Sequence, residues 1–258
     1  MLAFFTPGSV QLPVLRETFC NAEEIIAKLQ PYNGPFKDLI NGEEYHRGKF
    51  IHFYPGDKTG KKIGGYKPED HISPEQEEFQ KAYIKYIREN MVFRDGIRDK
   101  VQRRLTTLAS KLKNLKSTEV TYIGVHIRRT DHLKFMKEQN DMDPLDADYY
   151  NDAMDYFREE YDNCIFVVAS DDMKWSKKKI KTSQKDVYFS NMNPTFHNTV
   201  EGIFMDDDLS KAAYDLALLS SCNHTVVSRG TYSMWIAMIS PGEYYTEYGA
   251  IVPPELQG

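Results

Sequence analysis

The chain has 258 residues, with 33 Lys+Arg against 38 Asp+Glu, a formal charge of −5, and 41% hydrophobic and 13% aromatic residues. Its length and apolar content suit one large or two small folded domains with a real core, and scattered Gly and Pro without a sustained heptad exclude disorder, collagen and coiled coil. The acidic balance argues against non-specific nucleic-acid binding.

The opening apolar stretch, Met1–Phe5, is far shorter than the roughly 20 residues of a membrane span and has no basic flank, so neither a span nor a signal peptide is expected in the chain as given. Cys20, Cys164 and Cys222 lie far apart without a Cys or His partner at zinc spacing. Residues 1–75 hold many turn signals, among them Thr6-Pro-Gly-Ser9, Asn33-Gly-Pro35 and Tyr54-Pro-Gly-Asp57, and read as part of a domain of short helices and strands. At Ser73-Pro-Glu-Gln-Glu-Glu an N-cap, a first-turn proline and acidic residues predict a helix running to about residue 90.

Ile97, Val101, Leu105, Leu108, Leu112 and Leu115 recur at helical spacing and predict a helix over 97–116 with a basic outer face. Val120–Ile127 is a β-branched apolar run suited to a strand buried on both sides. A helix over 148–161, a buried strand at Cys164–Ala169, a short Lys-rich helix and a strand at Val187–Phe189 follow. Then come a helix over 208–221, a strand at Thr225–Ser228, and a turn and helix from Gly230 to Ile239. Strands alternating with helices predict an α/β fold, a doubly wound parallel sheet whose ligands sit at the carboxyl ends of the strands.

Three strand ends carry chemistry. The first leaves the sheet through His126-Ile-Arg-Arg-Thr-Asp131. Arg128 and Arg129 are either phosphate forks, one reaching the cleft and the other packing back, or a surface pair with Asp131. His126 is either a satisfied core histidine or a cleft group. At the second end, Asp171 suits the cleft, where an acidic side chain holds a ribose or base, while Asp172 suits the N-cap of the next helix. The third runs into Ser228-Arg-Gly-Thr-Tyr-Ser233, where Gly230 permits close backbone approach and Thr231 and Ser233 bring hydroxyls to a helix N-terminus that attracts anions. Together they describe a nucleoside diphosphate pocket. No Gly-x-Gly-x-x-Gly or P-loop motif is present, which argues against dehydrogenases and P-loop NTPases.

Gly124–Asp131, Phe166–Trp175 and above all Tyr214–Trp235 resemble three signature regions of the galactoside α-1,2-fucosyltransferases. The resemblance covers residues 85–245. It implies a GT-B-like glycosyltransferase: residues 1–95 would be a partial amino-terminal, acceptor-side domain, and residues 96–258 a Rossmann-like domain binding GDP-fucose. The implied reaction transfers L-fucose to the 2-hydroxyl of a terminal galactose on a glycan, with inversion and no metal or other cofactor. By motif, Arg128 would bind the β-phosphate, His126 and Arg129 would support that loop, and Asp131 would orient the arginines. Asp171 and Asp172 would lie near the donor, and Gly230, Thr231 and Ser233 near the phosphates.

The family usually has glycine where this chain has Thr130, and its amino-terminal region carries a membrane anchor and a Gly-rich loop not found here. The resemblance therefore implies a member shortened at its front, and a Golgi type II membrane enzyme whose only membrane attachment is an anchor missing from this chain. A nucleotide-binding relative without transferase activity, and another sugar-nucleotide transferase of the same fold, are the competing readings. Asp141-Met-Asp143 has D-x-D spacing but reads as solvated loop, as do Lys177–Lys179 and Asp206–Asp208 as faces or helix ends. The sequon at Asn223-His-Thr225 sits between a buried helix and a buried strand and is expected to carry little or no glycan.

Overall fold

The computed structural model describes residues 11–24, 85–112, 119–140, 142–190, 192, 206–247 and 249–251. The order is α1 (Gln11–Thr18), a helical stretch at 85–90, α2 (Asp95–Ala109), β1 (Thr121–Ile127), α3 (Thr130–Asn140), α4 (Ala147–Glu160), β2 (Cys164–Ser170) and α5 (Met173–Lys179). It continues with β3 (Val187–Phe189), α6 (Asp206–Ser220), β4 (His224–Val226), α7 (Thr231–Ile239), β5 (Tyr244–Thr246) and β6 (Gly249–Ile251).

The six strands form one sheet in the order β3-β2-β1-β4-β5-β6. All neighbours are parallel except β5 and β6, an antiparallel hairpin at one edge. The chain runs from β1 outward through β2 to β3 and then crosses to the other side of β1 for β4, so strand order reverses between β1 and β4, the position at which such sheets bind ligands at their carboxyl ends. The predicted parallel α/β sheet is thus present.

Alternation along the strands sorts side chains onto two layers. Ile123, Val125 and Ile127 of β1 and Phe166 and Val168 of β2 face Tyr150, Ala153, Met154 and Phe157 of α4. Ile165, Val167 and Ala169 of β2 face the opposite layer, where α1, α2, α6 and α7 contribute Leu15, Leu105, Leu216 and Trp235. Each fully buried Ile, Val or Phe in these layers contributes about 1.5–3 kcal/mol. Gly124 is required for the second layer: a Cβ there would lie 2.9 Å from the Leu219 carbonyl oxygen, so α6 rests directly on β1.

The described parts of residues 1–95 share this second layer instead of forming a core of their own. Val14, Leu15, Phe19, Ala22 and Ile87 are buried in it, and Phe19 pairs with Phe93 in an isolated antiparallel bridge with ring centroids 4.9 Å apart. Arg88 donates to the carbonyls of Met238 at 2.7 Å and Ala237 at 3.2 Å, placing a cation at the carboxyl end of α7. The helix expected from Ser73 lies outside the described residues up to 84, and most of the turn-rich front does too.

The structure adds three elements to the predicted set. α3 occupies 130–140, and β5 and β6 extend the sheet beyond β4. The basic helix starts at Asp95 and ends at Ala109, not near 116. Among the described residues no helix is long and apolar enough to cross a membrane.

Candidate functional site

The register of β1 on β2 pairs His126 with Ala169 and Ile127 with Ser170, so Arg128 emerges opposite Asp171 just past the ladder. The Arg128 guanidinium donates through Nη1 to Asp171 Oδ2 and to Thr130 Oγ1 at 3.0 Å, and through Nη2 to Asp131 Oδ1. The Asp171 side chain is fully buried and that of Arg128 is 15% exposed. A buried carboxylate is tolerated only when paired and hydrogen-bonded. Here the backbone N–H of Arg129 adds a bond to Asp171 Oδ1 at 2.8 Å. These contacts fix the plane of the Arg128 fork. The strand-to-helix turn needs no left-handed residue at Thr130, since positive φ away from glycine occurs, among the described residues, at Asn163 and Lys185.

Arg129 is the arginine that packs back, and its partner is not Asp131. Its guanidinium lies 3.8 Å over the Trp175 ring on α5, with Nε 3.8 Å from Asp172 Oδ2. That Nε is buried without a hydrogen-bond partner among the described residues. Asp172 Oδ1 caps α5 by accepting from the Trp175 N–H at 3.0 Å, as the spacing predicts. Beside this pair is a cavity of about 350 Å³ whose lining includes Leu145, Asp146, Asp148 and Lys179.

The third strand end lies against the first. The Arg128 N–H donates to Ser228 Oγ at 3.0 Å, two residues before Gly230. Gly230 is the N-cap residue of α7 with φ 116°, a conformation that favours glycine, and no side chain caps the helix. Thr231 is the first helical residue; its side chain lies outside those described.

Two expected site residues are turned inward. His126, left open between core and cleft, is a core histidine: it is 4% exposed, its Nδ1 is 2.6 Å from Ser233 Oγ and 3.3 Å from Ser228 Oγ, and its ring lies tilted against that of Tyr232 at 4.8 Å between centroids. Ser233 was expected to donate to phosphate, but it is 1% exposed and spends its hydroxyl on His126 and Ser228. The reason is strand alternation: His126 falls on the layer that α7 covers. Burial, together with the charges of Arg128 and His132, pushes this imidazole down to about 3, so it is neutral across the physiological range.

Sequence reasoning missed two residues here. Arg229 donates to Glu247 Oε1 at 2.8 Å, to Glu247 Oε2, and to the Asp143 carbonyl at 2.6 Å. It thus ties the Gly230 corner to the β5–β6 turn and to the loop before α4. Its signal was its place between Ser228 and Gly230. His132, in the first turn of α3, lies where a Cβ on Gly230 would meet its ring.

Deeper in the fold, Asp215 of α6 is 2% exposed. Ser190 donates to its Oδ1, while Oδ2 has no hydrogen-bond partner among the described residues. Burial pushes this carboxyl up to about 7, the serine bond opposing only part of the shift. Among the described residues no three His, Cys, Asp or Glu side chains group as metal ligands, and Asp143 pairs with Lys137 at 3.2 Å on the exposed surface. Asp141 lies outside those residues. Cys164 and Cys222 are buried thiols and Cys20 is exposed. In the sequon, Asn223 Oδ1 accepts from the Tyr122 N–H at 2.9 Å and Thr225 is fully buried.

The pattern of Glycosyl transferase family 11 matches residues 69–246. The rabbit (Oryctolagus cuniculus) galactoside alpha-(1,2)-fucosyltransferase 1 is 36% identical over 157 residues, 61% of this chain and 38% of the relative. The human protein of the same description is 33% identical over 157 residues, 61% of this chain and 39% of its own. A mouse galactoside 2-alpha-L-fucosyltransferase Sec1 is 32% identical over 162 residues, covering 63% and 40% respectively. The chain spans about two fifths of the length of these relatives. A crystal structure of NodZ alpha-1,6-fucosyltransferase with GDP aligns over 71% of this chain and 53% of that one, at TM-score 0.42 and 15% identity.

Proposed function

The chain belongs to Glycosyl transferase family 11, and on that premise we propose that it binds GDP-fucose at the carboxyl edge of the parallel sheet. In this reading it transfers L-fucose to the 2-hydroxyl of a terminal galactose on a β-galactoside glycan in the Golgi lumen. The observation that carries the reading is the junction of the first and third strand ends. The 3.0 Å bond from the Arg128 N–H to Ser228 Oγ ties the residue whose guanidinium Asp131 and Asp171 hold to the loop that leads into the glycine-led start of α7.

Fucosyl transfer breaks the bond between the sugar carbon and the β-phosphate oxygen, leaving positive charge on the sugar and negative charge on the diphosphate. Donors already aimed at that developing charge lower the barrier, typically by about 3–4 kcal/mol for each critical group. The α7 N–H groups and the Arg128 fork are such donors, the latter held by Asp131 and Asp171 so that it need not reorganise. In this reading they do the work of a divalent cation, so the reaction needs no metal, and the acceptor hydroxyl attacks from the face opposite the diphosphate with inversion. Asp172 and Arg129 form the wall beside Trp175.

The test is a turnover assay with GDP-fucose and a terminal β-galactoside, with GDP-mannose and UDP-galactose as competing donors and EDTA in a parallel reaction. Release of GDP with formation of a 2-fucosylated product, unaffected by EDTA, is the expected result. Binding of GDP without turnover would favour an inactive nucleotide-binding relative. Turnover with only another donor would reassign the sugar nucleotide, and strict dependence on manganese would overturn the metal-free account.

A further inference from the structure

A Cβ on Gly230 would lie 3.6 Å from Cε1 and 4.0 Å from Nε2 of His132, so this imidazole sits on the glycine that opens α7. It comes from the first turn of α3, next to Asp131, and is half-buried. Arg128 from the end of β1 and Arg229 from the β4–α7 loop face it with positive charge; Asp131 of its own helix and Asp171 from the end of β2 face it with negative charge. His126, below it on β1, is neutral.

We infer that His132 is a third phosphate ligand, one that takes a proton from solvent as the diphosphate binds at the Gly230 corner and places the resulting cation against the leaving group. The inference rests on a nucleoside diphosphate occupying this corner. With the corner empty, burial and the Arg128 charge hold the imidazole down at about 4, so it is neutral at neutral pH. An opposite charge within about 4–6 Å moves such a group by about 1–3 pH units toward its charged form. A diphosphate brings more than one such charge, enough to carry His132 into the neutral range. The balance is simple: one proton passes from solvent to the ring on binding and is returned when GDP leaves. Being on the diphosphate side, the group serves the leaving oxygen and not the acceptor hydroxyl, which approaches from the other face.

The experiment is calorimetric titration of the full chain with GDP at pH 6.5, in two buffers of different ionisation enthalpy. GDP's terminal phosphate itself ionises near this pH, so the measure is the difference from His132→Gln: the wild type is expected to take up roughly half a proton or more per GDP beyond what the variant does, with no such difference for guanosine, which lacks the phosphates. His132→Gln is also expected to weaken GDP binding about tenfold or more, the loss typical of a hydrogen bond to a charged group. His132→Lys, permanently charged, should restore affinity without restoring the excess uptake. Equal proton linkage in the wild type and His132→Gln overturns the inference and leaves the donor reading standing. A folded wild type that binds no GDP overturns both.

Discussion

Asp215→Asn should make the protein more stable at high pH and level its stability against pH, although it removes a hydrogen-bonded carboxyl from the core. Asp215 keeps its proton in the folded chain up to about 7, whereas an ordinary aspartate loses it at 3.8. The folded-state value is raised, so the group's contribution to stability is full below the unfolded value and is lost as pH rises through the folded one. A gap from 3.8 to about 7 corresponds to a total of about 4 kcal/mol, of which about 3 kcal/mol falls between pH 5 and pH 8. The asparagine amide keeps an oxygen for the Ser190 hydroxyl and replaces the acid O–H with an N–H, without a charge to bury. Urea unfolding of both proteins at pH 5, 6, 7 and 8 measures the difference directly. The variant should gain about 3 kcal/mol on the wild type over that range. A difference that does not change with pH would mean that Asp215 is ionised in the fold, and the reasoning from burial would fail.

Arg128→Lys keeps a cation for the buried Asp171 but loses the fork; transfer should fall by about 100-fold or more while the thermal midpoint moves by only a few degrees, measured by turnover and calorimetry. Arg128→Ala is the harsher change, because it leaves Asp171 buried and unpaired at a cost of about 3–5 kcal/mol, and should lower the melting temperature as well as activity. Gly230→Ala, at φ 116°, should cost about 1–2 kcal/mol of stability and weaken GDP binding, whereas Gly96→Ala in α2, where nothing lies within 4 Å, should be neutral or stabilising by up to about 1 kcal/mol. Asp172→Ala should lose the α5 cap, about 0.5–2 kcal/mol in chemical denaturation, and Asp172→Ser should recover most of it.

The parts of the fold legible in the sequence were those whose signal is local. The apolar runs of β1 and β2 and the helix before β4 stand out because strands buried on both faces leave no room for polar residues. β5 and β6 were not legible because Tyr-Tyr-Thr and Gly-Ala-Ile lack the valine-bearing apolar run that marks the equally short β3 and β4. α3 was hidden because its residues, Thr-Asp-His-Leu-Lys-Phe-Met-Lys-Glu-Gln-Asn, lack a clear apolar stripe, and His132 was hidden with it. In the site, chemistry told which residue types matter but not which way they point. Arg128 and Arg129 are equivalent in a list of charges; only the register opposite Asp171 and the position of Trp175 separate them. His126 stayed open between core and cleft, and Ser233 was expected in the cleft, because spacing along β1 and α7 does not say which layer covers which face.

Arg88 makes α7 depend on the residues that precede the sheet. The carbonyls it holds belong to Ala237 and Met238, at the far end of the helix whose start is the proposed phosphate corner. A shorter gene product beginning at residue 96 would therefore keep every proposed ligand yet leave that rod unmoored at its base, with the seats of Phe19 and Ile87 open to water. Anyone excising a minimal nucleotide binder should make the cut upstream of residue 85 and carry Gln11–Thr18 along, in cis or as an added peptide.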